Sequence, residues 1–166
     1  MTSIKRPDRL VIQLIWMVTL LILLTVIASE YFLKLAPCEL CLAQRIPYYL
    51  VLVLTSTALV LQCDIVINRK VVFFSSMLFL ITFIIAVIHV GTEQGVWDTK
   101  CSLSGFQSFS IEDIQKAVLQ SGVPACNDIS FQLFGITMAG YNTLIGLLLF
   151  GLSIAASFTN ALWIEE

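Results

Sequence analysis

Two cysteines two residues apart, Cys38 and Cys41, stand in the stretch "APCELCLAQR", with Arg45 close behind. A C-x-x-C pair closes so small a loop that a disulfide across it constrains the unfolded chain little, which makes it a poor staple. It is the spacing of dithiols that open and close in redox exchange. The reactive species is the thiolate, and nearby positive charge favours it. Arg45 offers a fixed charge and a helix start offers a partial one. Pro47 leaves the helix start open. It suits a first turn and disfavours helix at Ile46, so the helix begins there, or it begins before Cys41 and sets Arg45 one turn above the thiol.

Three more cysteines complete the set: Cys63, Cys101 and Cys126. Cys38, Cys41, Cys101 and Cys126 admit three chemistries: structural disulfides, a zinc site, or thiol exchange. One C-x-x-C with two widely separated cysteines is a poor match for the paired spacing of zinc sites. The surroundings of "CELCLAQR" favour exchange. Electrons from such a dithiol need an acceptor. The chain has no haem C-x-x-C-H, no iron–sulfur run and no glycine-rich dinucleotide turn. The acceptor at hand is a quinone in the bilayer. His89, at the end of an apolar run, is the residue type that marks a proton or ligand role at a membrane edge. Cys63 reads as a small buried residue near a helix end.

The elements that must position these groups are membrane helices. The chain has 166 residues, 58% of them hydrophobic and 12% charged. A soluble chain is nearer a quarter charged. The net charge of −2 and the scattered basic residues give no sign of nucleic-acid binding. A span needs about 20 apolar residues. Four stretches qualify, at about 10–29, 46–62, 71–90 and 140–162. The first is too long, and lacks the small-residue cleavage pattern, for a secretory signal. The fold class expected is all-α: a single domain over 1–166, a four-transmembrane-helix bundle with loops at about 30–45 and 91–139. Five basic residues (Lys5, Arg6, Arg9, Arg69, Lys70) lie on one side, and four are spread over two longer loops on the other. The positive-inside rule therefore puts both termini in the cytoplasm. Two spans separate the C-x-x-C from the Cys101–Cys126 segment, so all four cysteines share one compartment and Cys63 faces the other. The second loop holds "SIEDIQKAVLQSG", which predicts a short amphipathic helix capped by Ser110 and ended by Gly122.

Three motifs carry a family resemblance: "CELCLAQRIPYY", "HVGTEQGVW" and "VPACNDISFQLFGITMAGYN". In this order, with four spans, the chain resembles the DsbB family of bacterial disulfide-generating membrane proteins. The resemblance implies a bacterial inner-membrane thiol:quinone oxidoreductase. A reduced DsbA-like periplasmic thiol oxidase would attack Cys101, which pairs with Cys126 at rest. Electrons would pass through a transient Cys126–Cys38 link to the Cys38–Cys41 pair. Cys41 would meet the ring of ubiquinone or menaquinone, with Arg45 and His89 beside it. The chain departs from common family variants at Gln44, where some members have Glu, and at Asn127-Asp128, where many have Asp-Glu. Two other readings compete. One is a tetraspan structural protein with inert loop disulfides. The other is a vitamin K epoxide reductase-like enzyme, in which, however, the C-x-x-C lies near the last span rather than after the first.

Overall fold

A computed structural model describes residues 7–34, 37–96, 132–159 and 163. Four helices form the bundle: α1 (Pro7–Leu33), α2 (Glu39–Val60), α3 (Ile65–Glu93) and α4 (Met138–Phe158). All four are long and apolar enough to cross a membrane. In lipid the helix is the structure that satisfies each backbone group within one segment. Cys101, Cys126 and the helix expected around residues 110–121 lie outside the described residues.

The helix starts follow from local chemistry. Pro7 opens α1, where its missing N–H costs nothing. Thr137 caps α4 by accepting from the Gly140 N–H at 3.1 Å. Helix α2 starts at Glu39, upstream of the span expected from Ile46, and Pro47 lies inside it. The sulfur of Cys38 supplies the cap, and Glu39 adds an acidic group in the first turn, where helix N-termini favour negative charge. Residues 39–45, expected as loop, are therefore helical. Helix α3 has 29 residues. At about 1.5 Å each it outruns a hydrocarbon core of about 30 Å, so its last turn, with His89 and Glu93, stands at the rim.

Between α3 and α4 lies a small antiparallel hairpin, β1 (Gln132–Leu133) and β2 (Ile136–Thr137), in which Gln132 pairs with Thr137 and Leu133 with Ile136. Its two-residue turn, Phe134-Gly135, has positive φ at both positions, +50° and +79°. That geometry matches the right-handed twist of the strands. The hairpin leads directly into the cap of α4.

Packing uses small and polar side chains. Thr19, Thr55, Ser75, Ser76 and Thr82 are fully buried around Ile12, Val51, Val72 and Phe79. Gly146 lets α4 approach α3 closely: a Cβ there would lie 3.3 Å from the backbone N and Cα of Phe83. Small residues are what membrane helices place at such contacts, because lipid provides no hydrophobic drive to press helices together. Leu14, Leu21, Leu148 and Leu152 point outward, as a lipid-facing surface requires. Trp16 Nε1 donates to Ser56 Oγ at 2.7 Å, tying α1 to α2.

Candidate active site

At the first turn of α2, Cys38 Sγ accepts from the Cys41 N–H at 3.4 Å. Caps are usually oxygen side chains. A sulfur in this place accepts best when ionised, so the helix start favours the Cys38 thiolate. The two sulfurs lie 3.0 Å apart and are free thiols that share a hydrogen bond. His89, near the end of α3, brings Nε2 to 3.5 Å from Cys38 Sγ. The Cys38 thiol is held well below the ordinary thiol range. The hydrogen bond from Cys41 pulls it down most, and His89 and the Cys41 N–H add to this against a burial that pushes it up. The start of α2 and the donors around Cys38 therefore favour negative charge on that sulfur.

Behind His89 runs a chain of polar side chains. Gln44, one turn beyond Cys41 and buried, donates from Nε2 to His89 Nδ1 at 3.1 Å. Asn142 of α4 donates from Nδ2 to Gln44 Oε1 at 2.5 Å. Tyr48 donates its hydroxyl to Asn142 Oδ1 at 2.7 Å. On the other side, Glu93 Oε1 is 3.7 Å from His89 Nε2, and Glu93 Oε2 accepts from Thr137 Oγ1 at 2.7 Å. Arg45 pairs with Glu30 of α1. Its Nε is buried and has no hydrogen-bond partner among the described residues.

Of the residues singled out from the sequence, Cys38, Cys41 and His89 come together, with their ligand-capable atoms within 4.8 Å of one another. Arg45 stands at the same end of the bundle, on the helix that carries Cys41. Cys101 and Cys126 lie outside the described residues. Sequence reasoning missed Glu30, Gln44, Tyr48, Glu93, Thr137 and Asn142 as parts of the site. Signals existed. All but Glu30 lie inside the three quoted motifs, and Glu30 is the one acid near the far end of the first apolar run. A charge at the edge of a span needs a partner.

A free dithiol at the rim of a helical membrane bundle, backed by a histidine and flanked by a paired arginine, defines a class: integral-membrane proteins built for thiol redox chemistry. The chain belongs to the DsbB family, matching Disulfide bond formation protein DsbB over residues 8–156. It is a multi-pass membrane oxidoreductase of disulfide formation. It is also similar to the uncharacterized protein RP370 of Rickettsia prowazekii (strain Madrid E), 24% identical over 151 residues that cover 88% of this chain and 86% of that one. No solved structure matches.

Proposed function

We propose that the protein is a thiol:quinone oxidoreductase of the bacterial inner membrane that reoxidises a DsbA-like periplasmic dithiol protein. The observation that carries this reading is the free Cys38–Cys41 pair, in which Cys38 Sγ lies within hydrogen-bond reach of the Cys41 thiol, the Cys41 N–H and His89 Nε2. The exchange sequence balances sulfur by sulfur. The partner's thiolate attacks Cys101 and breaks a Cys101–Cys126 disulfide, releasing Cys126 as thiolate. Cys126 attacks Cys38 and releases Cys41. The partner's second thiol then resolves the mixed disulfide at Cys101, leaving as the oxidised partner. Freed Cys101 attacks Cys126 and releases Cys38. Exchange runs fastest when the leaving thiol has a low pKa, and Cys38 has the environment for that role. The pair ends reduced, holding two electrons.

A quinone, when bound, supplies the acceptor for two electrons and two protons. The residues present fit such a group. Arg45 Nε is a buried donor without an acceptor among the described residues, and a carbonyl oxygen is what it lacks. Glu30 holds the guanidinium in place. Cys41, one turn before Arg45, is the sulfur assigned to the acceptor side, and it lies 3.0 Å from the sulfur of Cys38. The positive-inside bias supports cytoplasmic termini and a periplasmic dithiol.

Two measurements test the proposal. Cys126→Ala should trap a partner at Cys101, seen as a reducible band on a non-reducing gel. Purified protein given a reduced DsbA-like protein and ubiquinone or menaquinone should oxidise one and reduce the other. Failure to turn over either quinone, in protein that retains its helical signature, sinks the quinone assignment. An empty gel lane with intact expression sinks the partner.

A further inference from the structure

We infer that Tyr48, Asn142 and Gln44 form a directional relay that fixes the tautomer of His89, so that Nε2 carries the proton and presents it to Cys38. The three are positioning residues, acting on sulfur through the imidazole. This deepens the proposed role of Cys38 in thiol exchange and rests on that reading.

The direction of the relay comes from its far end. An amide can turn either face to a neighbour, so a chain of two amides ending on an imidazole has two self-consistent senses. In one, each group donates toward His89: Tyr48 hydroxyl to Asn142 Oδ1, Asn142 Nδ2 to Gln44 Oε1, Gln44 Nε2 to His89 Nδ1. In the reverse sense the Tyr48 oxygen would accept, and its own hydrogen would need another acceptor. Tyr48 is only 2% exposed and packs against Phe79, with ring centroids 6.0 Å apart. Among the described residues its hydroxyl has no acceptor besides Asn142. Leaving a buried hydroxyl hydrogen unpaired costs about 1–3 kcal/mol. That is enough to hold the chain in the donating sense at roughly a 5- to 150-fold preference.

The chemical result appears at the other ring nitrogen. With Nδ1 occupied as an acceptor, a neutral imidazole carries its hydrogen on Nε2. Nε2 faces Cys38 Sγ at 3.5 Å and Glu93 Oε1 at 3.7 Å, both acceptors when ionised. The relay thus delivers a donor to the sulfur without requiring a charged histidine. The opposite tautomer would aim a lone pair at the same sulfur and would favour its protonated form. The three relay residues come from two helices, α2 and α4, and His89 from a third, so the tautomer depends on how the bundle is assembled.

The chain contains a single histidine, which makes the test direct. In full-length, chemically reduced protein labelled with 15N-histidine in detergent micelles, long-range proton–nitrogen correlation reads which ring nitrogen is protonated. No quinone or partner protein is present, so this outcome is separate from the redox assay above. The wild type should show the Nε2–H tautomer at neutral pH. Gln44→Glu replaces the donor at Nδ1 with an acceptor and should protonate Nδ1. Tyr48→Phe keeps the ring and removes the lock, and should yield a mixture of both tautomers. The pH at which alkylation of Cys38 falls away should move upward in Tyr48→Phe, a readout that loss of ring packing alone would not move in step with the tautomer. A wild-type spectrum showing Nδ1–H, or a Gln44→Glu spectrum identical to wild type in folded protein, overturns the inference.

Discussion

The two ends of the bundle bury similar polar side chains and use them differently. At the end opposite the dithiol, Asn68 of α3 donates from one nitrogen to Asp8 Oδ2 of α1 at 2.7 Å and to the Cys63 carbonyl at 3.2 Å. Arg69 donates to the Ser157 carbonyl at 2.8 Å. These bonds stop on backbone oxygens and a carboxylate, groups that do not change during turnover. They latch α1, α3 and α4 together. At the other end the bonds run through Gln44 and His89 and stop on a sulfur that, in the proposed exchange, changes both charge and bonding partner. Interhelical hydrogen bonds in membranes are worth about 0.6 kcal/mol each on average. Neither end is therefore a major source of stability, and close packing at places such as Gly146 holds the bundle. What separates a latch from a redox site here is the chemistry of the terminal atom, with similar residues leading to it.

That contrast can be broken in order of effect. Cys38→Ser and Cys41→Ser should each abolish quinone-linked turnover while the thermal midpoint in micelles stays near wild type. Retained turnover in either variant would remove the distinction altogether. The next effect is a rate. The folded environment lowers the Cys38 pKa, so its thiolate persists as pH falls through the ordinary thiol range near 8.5. Alkylation of Cys38 by a neutral reagent should therefore stay flat from about pH 9 to pH 7, and drop only further down. A simple cysteine peptide loses about tenfold per unit over the lower part of that range. A peptide-like profile for Cys38 would show that the surrounding donors leave the sulfur unaltered. Third, Asn68→Ala strips the Asp8 carboxylate of its buried donor and should cost about 1–3 kcal/mol, read as a lower midpoint, with turnover per folded molecule unchanged. Loss of specific turnover there would mean that the latch also serves catalysis. Smallest of all, Cys63→Ser should shift stability by no more than about 0.5 kcal/mol and leave turnover alone.

The four helices were legible because each apolar run is long enough to admit no other structure in lipid. The dithiol, His89 and Arg45 were legible because their residue types are costly in a membrane and call for a reason. The start of α2 was ambiguous because Pro47 permits two positions, and the deciding contact is a sulfur acting as cap. The hairpin at 132–137 went unread: its turn uses Phe134 at positive φ, a conformation that residue type seldom signals. Pairings such as Tyr48 with Asn142 and Arg45 with Glu30 depend on how each helix is rotated about its axis. A sequence with polar residues spread round several faces does not set that rotation.

Thr137 gathers three tasks in one residue: its hydroxyl caps α4 and grips Glu93 beside His89, and its backbone pairs with Gln132 in the hairpin. The chain departs for its longest excursion just past Glu93 and returns through the hairpin, so one hydroxyl cinches both feet of that excursion like the knot of a lasso. A shift of either foot would therefore reach the turn that carries the imidazole, a few ångströms from the sulfurs.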